Sequence, residues 1–547
     1  MGYTECEYPL CQRLLLIYCA NNSPLATSKG RFANRPYMHF VRRACRRIPT
    51  CWCCTKRDVC ATLCLLIEPT TKGFFMIINI SNRRYSVMGW VSISLLVALF
   101  ALVVLYLPAR AEGPAPGSKA MACENGLAGE YPCDNVDFLS FMSLAELGAT
   151  SDEAEGANLW GWTDSETNKE YVIMGLTDGT AFVEISNPQD PIYLGTLPTH
   201  NNISSVKYRD MKVYQNHAFI IADFNTRHGM QVFDLTQLRD VMTSTITFTE
   251  TAYFDGFGDA HNIHINEESG YAYVLRTTDP EWCSGAMYMV DIRVATNPTA
   301  AGCFSEGGLA SDVMCVNYHG DDPQYQGREV CIVASDDDLI IADVSDKANP
   351  VNLKTIGYQN IRRAHNAWLT ADHNYFLSAD MNDEMMLGLN TRIFVWDFSD
   401  VDDPQLIGTY VGPTPASDHN VWINGNYAYV GNFRAGVRIL QMTDIANGNL
   451  TQAAYFDMVP SDDNTGHSAG AWAVYPYFAN GVIAVSEKND GLFILRQTNV
   501  TNPTAVSLSE FGEAGRLAQS GSYATGISLL MVLLSGLAMV LFGRKKK

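Results

Sequence analysis

The stretch "SDHNVWINGNYAYVGN", residues 417–432, opens on a His-Asn pair, alternates along a short run, turns at Asn-Gly and returns as Tyr-Ala-Tyr-Val. Residues 259–274, "DAHNIHINEESGYAYV", follow the same plan, and residues 363–380, "RAHNAWLTADHNYFLSAD", keep its opening and its turn. Alternating runs on both sides of a short polar turn are typical of a β-hairpin. The chain therefore repeats one hairpin unit along its length.

A second phrase, an apolar run that ends in an acidic or polar residue, recurs between these hairpins. It occurs seven times, with equivalent positions at Glu184, Asp234, Asp291, Asp343, Asp397, Gln441 and Arg496. The copies are 44 to 57 residues apart, and only strand-like runs lie between them. A period near fifty predicts an all-β fold, a seven-bladed β-propeller of four-stranded antiparallel blades. The aspartates at these positions are expected to anchor the turn that follows through side-chain to backbone bonds.

The ends of the chain differ in composition from the repeats. Residues 1–112 carry 14 Lys and Arg against 5 Asp and Glu, whereas the remainder carries 24 against 53. Such an acidic body repels phosphate backbones and argues against nucleic acid as a partner. A basic stretch, the uncharged run at residues 89–107 and an Ala-x-Ala site predict a secretory signal peptide. The uncharged run at residues 526–543, followed by "RKKK", predicts a transmembrane anchor or sorting tail.

These features divide the chain into six predicted parts. The predicted parts are a non-native or disordered extension over 1–75, a signal peptide over 76–111, a segment packing on the propeller over 112–157, the propeller over 158–511, a linker over 512–525 and the anchor over 526–547. The chain is thus expected to be exported to the cell envelope or cell surface and held there by its C-terminal helix.

Cysteines agree with export. Nine of the 15 lie in residues 1–64 without metal-binding spacing, and the body keeps only six. An oxidising compartment allows these to pair, with Cys123–Cys133 the simplest pair and the remaining connectivity open. The six disulfide candidates are Cys123, Cys133, Cys283, Cys303, Cys315 and Cys331.

Several long phrases, among them "CENGLAGEYPCDNVDFLSF" and "RDMKVYQNHAFIIAD", resemble the choice-of-anchor B family of exported bacterial proteins, which carry repeats of the Leu-Val-Ile-Val-Asp type. The resemblance covers residues 123–496. It implies a secreted or surface-anchored propeller with a variable C-terminal anchor, and no established reaction. The sequence departs from the family pattern at Ser311, where His is expected, and at Asn366, where Gln is expected.

The His-Asn pairs head the first strand of their blades, which lines the channel of a propeller. Polar residues from several blades are therefore expected to meet at one channel mouth, with the three histidines of the opening repeats on one side of the ring. The candidate ligand-binding residues are Asp210, His261, Asn262, Asp312, His365, Asn366, His419, Asn420 and His467, the last as the counterpart in the seventh blade. Two interpretations stand: a ligand or metal site, or structural hydrogen bonds to the backbone of neighbouring blades.

An acidic loop is a second candidate site. "SADMNDEMM" contains Asp380, Asp383 and Glu384, which could bind Ca²⁺ or simply form a solvated loop. The order of residues does not match an EF-hand.

No nucleophile, phosphate-loop or dinucleotide motif occurs, so no catalytic residue is assigned and binding is favoured over catalysis. The predicted function is a cell-surface binding module for an extracellular protein or glycan. The alternative is a metal-assisted hydrolase or lyase that uses the channel histidines.

Overall fold

The computed structural model describes most of the body of the chain. It covers residues 63–66, 75–78, 114 and 119–500, except for short gaps at 152, 201–205, 207, 225–226, 242–244, 280–282, 284 and 463. Residues 79–111 of the predicted signal peptide and the predicted C-terminal anchor lie outside the described residues. Among the helices that are described, none is long and apolar enough to cross a membrane.

The chain divides into two compact units, Met1–Pro108 and Ala109–Lys547. Within the described part of the first unit, β1 (Leu63–Leu66) pairs antiparallel with β2 (Phe75–Ile78).

The second unit consists almost entirely of strands. These are β3 (Leu127–Ala128), β4 (Tyr131–Asp134), β5 (Val136–Ser143), β6 (Gly156–Thr163), β7 (Glu170–Leu176), β8 (Gly179–Glu184), β9 (Ile192–Pro198), β10 (Tyr208–Tyr214), β11 (His217–Asp223), β12 (Met230–Asp234), β13 (Ile246–Thr247), β14 (Ala252–Phe254), β15 (Asn262–Asn266), β16 (Tyr271–Leu275), β17 (Met287–Asp291), β18 (Thr299–Phe304), β19 (Ala310–Asn317), β20 (Glu329–Ser335), β21 (Leu339–Asp343), β22 (Val351–Ile356), β23 (Ala364–Leu369), β24 (Tyr375–Asp380), β25 (Arg392–Asp397), β26 (Gln405–Val411), β27 (Val421–Asn424), β28 (Tyr427–Gly431), β29 (Val437–Asp444), β30 (Asn449–Phe456), β31 (Ala471–Tyr475), β32 (Val482–Glu487) and β33 (Gly491–Gln497). One short α-helix, α1 (Asp383–Leu387), follows β24. The 3-10 helices are Leu235–Asp240, Ser305–Gly307, Ile445–Asn447 and Ala479–Gly481.

These strands form seven antiparallel blades of four strands, as the repeat period predicts. From the innermost strand outward, the blades are β6-β7-β8-β9, β10-β11-β12-β14, β15-β16-β17-β18, β19-β20-β21-β22, β23-β24-β25-β26, β27-β28-β29-β30 and β31-β32-β33-β5, numbered blades 1 to 7 in that order. Innermost strands of successive blades contact one another from blade 1 to blade 6, and β31 of blade 7 contacts β28 of blade 6 and β6 of blade 1. The ring is therefore closed. Two blades are extended, blade 1 by β13 alongside β9 and blade 6 by β4 and β3 beyond β30.

Closure depends on a strand from the N-terminal side of the ring. The alternating sequence of residues 135–144 predicts a strand that pairs on the last blade, and this is confirmed because β5 pairs with β33 and supplies its outermost strand. Buried Phe138 and Phe141 of β5 pack against Phe493 of β33. Because β5 and β33 lie at opposite ends of the repeat region, their pairing joins its two ends and removes a free sheet edge.

The third strand of a blade ends where the repeat predicts an anchored turn. Backbone N–H groups two residues further on donate to the carboxylates of Asp234, Asp291, Asp343 and Asp397, at 2.9 to 3.1 Å. Each aspartate thus forms the same local turn, which confirms that it recurs for structural reasons.

Two tight positions use glycine. Gly436 precedes β29 with φ +72°, and a Cβ there would collide with the carbonyl of Phe456 on the neighbouring strand. At the β27–β28 hairpin, Asn424 still pairs with Tyr427, so the turn residues are Gly425 and Asn426 and not the Asn-Gly pair itself. Gly425 takes the left-handed conformation that this turn needs, with φ +57°.

All six cysteines of the body are paired. The disulfides are Cys123–Cys133, Cys283–Cys303 and Cys315–Cys331. The first confirms the predicted pair and holds β4, the strand added to blade 6, to the segment before it. The other two lie within blades 3 and 4.

The closure strand provides a test of ring stability. Replacing Phe138, which is fully buried, by Ala should cost about 3–5 kcal/mol of unfolding free energy, because it removes a core aromatic ring and leaves a cavity. The matched control, Leu127→Ala on the half-exposed strand β3, should change it by about 0.5 kcal/mol or less. Thermal unfolding followed by circular dichroism measures both, and equal melting temperatures for the two variants would contradict the closure role of β5.

Candidate functional site

The innermost strand of each blade pairs on one side only, so its other edge faces the channel with unpaired N–H groups. Six blades place an Asn or Asp at the same register of this strand, facing the last residues of the second strand. This Asx ring consists of Asn158, Asp210, Asn262, Asp312, Asn366 and Asn420. Five of the six were singled out from the sequence, and Asn158 was missed because no histidine precedes it.

Three members of the Asx ring bond across blade boundaries. The amide of Asn366 donates to Asp312 of blade 4 at 2.7 Å and accepts from the N–H of Val421 in blade 6 at 2.9 Å. Asp210 accepts from the N–H of Ile263 in blade 3 at 3.0 Å. These side chains cap the channel-facing edge of the next blade. Their contacts are the structural hydrogen bonds between neighbouring blades that the second interpretation predicts.

The other members leave acceptors unused. Within the described residues, the Oδ1 atoms of Asn158, Asn262 and Asn420 are buried without a hydrogen-bond partner. One cause is visible in blade 4, which follows the blade of Asn262. There the N–H of Val313 donates to Asp312 at 2.7 Å and is therefore not available to Asn262. Burial raises the pKa of Asp312 to about 7.

Below the Asx ring, aromatic side chains fill the channel. Two residues further along the inner strands, Trp422 packs edge-to-face on Trp160 and Trp368, with ring centroids 5.5 and 4.5 Å apart. The buried ammonium group of Lys212 lies 4.6 Å from the centre of the Trp160 ring and 3.1 Å from Asp210. This aromatic layer lies in the channel interior, below the Asx ring.

Above the Asx ring lies a group of histidines, the imidazole cluster, made of His261, His365, His419 and His467. The rings of His365 and His419 stack at 4.5 Å, and His261 and His467 lie near enough to influence the charge of both. The structure therefore brings together four histidines from blades 3, 5, 6 and 7 at one end of the channel.

One member of this cluster reaches it by a different route from the one expected. His467 lies in the loop before β31, and its Nε2 is 3.0 Å from the carbonyl of Met381. Strand pairing aligns Ala471 with Ala364, so the blade 7 counterpart of His365 is Trp472. The predicted His467 counterpart is therefore wrong in register, because additional residues precede β31.

Aromatic and cationic side chains complete the channel mouth. Tyr208 of blade 2 stacks on Trp472 of blade 7 with ring centroids 5.2 Å apart, above the small residues that begin β6. Phe433 packs against His419, His467 and Trp472. Lys488 places its ammonium group 5.1 Å from the Trp472 ring, and Arg363 enters from blade 5. None of these residues carries a motif, and only the ring closure brings them together.

Burial disfavours the charged form of His365 and His419. Burial lowers the pKa of His419 to about 3 and that of His365 well below its usual range, and nearby His and Arg groups lower the pKa of His365 further. The Nδ1 atom of His419 lies 2.6 Å from the carbonyl of Trp472, and that of His261 lies 2.7 Å from Asp223. The buried Nδ1 of His365 has no hydrogen-bond partner within the described residues.

The acidic loop is not solvated. Asp380, Asp383 and Glu384 are all buried, so the solvated-loop interpretation is wrong. Asp380 accepts hydrogen bonds from the Tyr358 hydroxyl and from three backbone N–H groups, those of Arg362, Arg363 and Asn382, and is thereby a structural anchor. Asp383 is paired with Arg392.

Behind the imidazole cluster, Glu384 and Asp418 face each other. Asp418, which directly precedes His419, was missed from the sequence because a single aspartate before a His-Asn pair has no distinguishing pattern. Burial, reinforced by Asp383, raises the pKa of Glu384 to about 9, and burial with the adjacent Glu384 raises the pKa of Asp418 well above its usual range. No group of three His, Cys, Asp or Glu side chains within the described residues is arranged to hold a metal ion. The calcium prediction for this loop stays a prediction.

Comparisons with known proteins identify the repeat. Residues 327–356 and 417–450 match the family model of the LVIVD repeat. They fall in blades 4 and 6. Among curated proteins, none matches this chain. One solved structure that resembles it is the crystal structure of the computationally designed Ika8 protein, which is 11% identical over 63% of this chain and 96% of that chain, with a TM-score of 0.38. That TM-score is too low to support an argument, and the fold rests on the strand pairing above.

The Asx ring allows a matched test of its capping role. Asn366→Ala should destabilise the protein by about 1–3 kcal/mol more than Asn420→Ala, because it leaves the Val421 N–H and Asp312 without their partner. Asn420, equally buried, forms no side-chain hydrogen bond within the described residues. Chemical unfolding of both variants measures the difference, and equal stabilities would argue against inter-blade capping.

The buried acids predict a pH effect. A carboxyl whose pKa is raised in the folded state stabilises the protein fully below the unfolded pKa, near 4.5, and this stability is lost as the pH rises toward 9. Glu384→Gln should therefore match the wild type near pH 4 and exceed it at pH 7, on the order of 2 kcal/mol. Melting temperatures across this range provide the measurement.

The control for this variant is Glu166→Gln, an exposed carboxylate paired with Arg239, which should show no pH-dependent gain. A Glu384→Gln variant that is less stable than the wild type at pH 8, and whose loss disappears in chelator, would instead indicate a bound cation.

Proposed function

We propose that this protein is an interaction module whose binding surface is the channel mouth formed by the imidazole cluster, Tyr208, Arg363 and Trp472. The LVIVD repeats and the propeller fold support an interaction role. The observation that carries the proposal is the buried, unpartnered Nδ1 of His365 among side chains from several blades. A buried polar atom without a partner costs stability, and binding of a ligand that supplies a donor or acceptor would recover it.

Backbone strain at the same mouth supports the proposal. Phe224, Arg276 and Phe433 have φ of +58°, +55° and +34°, in the left-handed region that non-glycine residues avoid. All three follow the second strand of their blades, at the channel mouth. Strained conformations of this kind collect at functional sites, each at a cost on the order of 1–3 kcal/mol.

The finer prediction places the module outside the cell. In this proposal the chain is exported, anchored through its C-terminal segment and related to the choice-of-anchor B proteins, with an extracellular protein or glycan as its partner. Three disulfides within the propeller support an oxidising compartment. Stacked Tyr208 and Trp472 suit a glycan, because aromatic faces pack well against sugar rings and peptide side chains.

The alternative, a metal-assisted hydrolase or lyase, has no observation in its favour. One ring nitrogen of each of His261, His419 and His467 faces Asp223 or a backbone carbonyl. An imidazole whose second nitrogen is hydrogen-bonded in this way can still bind a metal through the first. Elemental analysis of the purified chain would therefore test this alternative directly.

The mouth itself can be tested with one aromatic ring. Trp472→Ala should weaken binding of the full-length chain to its best ligand in an immobilised panel of extracellular glycans and proteins at least tenfold, because Trp472 contacts Tyr208, His419, Phe433 and Lys488. Surface plasmon resonance provides the measurement.

The matched control is Tyr455→Ala, a partly buried aromatic residue on the outer strand β30. It should leave binding unchanged. Ligand binding that survives Trp472→Ala and is lost in Tyr455→Ala would place the interaction surface on the blade edges and contradict the proposal.

A further inference from the structure

Arg363 extends over the channel mouth from the start of blade 5. Its Nε donates to the hydroxyl of Ser311 at 3.2 Å and lies 3.2 Å from Asp336, both in blade 4. Its charge influences His365 and His419, and its own environment includes Tyr208 of blade 2. The guanidinium group is therefore within electrostatic reach of residues from several blades.

Arg363 shares its acidic partner Asp336 with another arginine. Arg276 of blade 3 also pairs with Asp336, at 2.6 Å, so one carboxylate faces two guanidinium groups. The nearby ammonium group of Lys488 has its own partner in Glu155, at 3.4 Å. The carboxylate of Asp223 lies 2.7 Å from His261 at the same mouth, so both signs of charge are present there. The body around it has a large excess of acidic residues.

Arg363 also keeps unused donors. Within the described residues, its two terminal nitrogens form no hydrogen bond, whereas Nε is occupied by Ser311. Its side chain is partly buried, with 21% of its surface exposed. A half-buried guanidinium group with a free planar face of N–H donors is suited to bind a carboxylate through two parallel hydrogen bonds.

The wall of the mouth beside this group is aromatic. Tyr208 and Trp472 stack with an interplanar angle of 17°, and His261 packs edge-on to Tyr208 at 5.7 Å. Such a wall accommodates a flat or ring-shaped group by van der Waals contact. The unpartnered Nδ1 of His365 adds one polar position that a ligand hydroxyl could satisfy.

From these contacts we propose that the ligand of the channel mouth carries a carboxylate attached to a ring, with the carboxylate on the terminal nitrogens of Arg363 and the ring against Trp472 and Tyr208. This rests on the proposed function, since it names the ligand class of the same mouth. Two parallel N–H donors on one planar guanidinium group match the two oxygens of a carboxylate. Both acidic sugars and aromatic acids have this chemistry.

Calorimetric titration of the purified full-length chain tests the proposal. The probes are galacturonate and benzoate, their neutral counterparts galactose and benzyl alcohol, and inorganic phosphate. At least one carboxylate should bind at least tenfold more tightly than its neutral counterpart and than phosphate. Binding of galacturonate would identify the ligand as an acidic sugar, and binding of benzoate would identify it as an aromatic acid. Arg363→Gln should abolish this preference, and Arg363→Lys should recover part of it.

The control variant is Arg328→Gln, which removes a half-exposed arginine that precedes β20 and pairs with the buried carboxylate of Asp343, and it should not alter binding. Melting temperatures verify that each variant is folded. Equal affinity for neutral and charged probes, a preference that survives Arg363→Gln, tighter binding of phosphate, or no binding by either carboxylate would each overturn the inference. If neutral rings bind and Trp472→Ala abolishes that binding, the proposed function stands while the carboxylate inference fails.

Discussion

Each blade ends at the channel with one unpaired strand edge, and the architecture depends on satisfying its N–H groups. Seven blades arranged in a ring keep their outer edges at the surface and leave seven inner edges facing a narrow space. Asp210 and Asn366 satisfy part of this requirement by bonding the backbone of the next blade. In these two blades the Asn or Asp at this register therefore has a structural role. This role is one reason why a polar pair recurs at the start of the hairpins.

The residue before the Asx position has more freedom, and this is where the site is formed. That position is His in blades 3, 5 and 6, Trp in blade 7 and Ser in blade 4. Because these side chains point to the same end of the channel, their differences between blades determine what the mouth can bind. Blade 5 adds Arg363 just before the strand, and blade 4 contributes the smaller Ser311, which leaves room for its guanidinium group. The missing histidine at Ser311 thus permits the contact on which the carboxylate proposal depends.

Buried carboxyl groups lie near this mouth. Asp380 is fully hydrogen-bonded, whereas burial raises the pKa of both Glu384 and Asp418. The guanidinium group of Arg363 is one of the charges that a ligand at the mouth would meet. In an environment of reduced dielectric constant, a single charge of this kind exerts more influence than the same charge on the surface.

The sequence alone determined the blade number, the four-strand plan, the turn aspartates, the closing strand and one disulfide, because all of these follow from local alternation and a regular period. It also identified five of six Asx positions and the histidines, since those repeat with the hairpins. It misplaced His467 because an insertion before β31 changes the register without changing the apparent pattern. Only the tertiary structure brought Tyr208, Arg363, Trp472 and Asp418 to the mouth. Each of these residues comes from a different blade or loop, and proximity across a closed ring leaves no periodic trace along the chain.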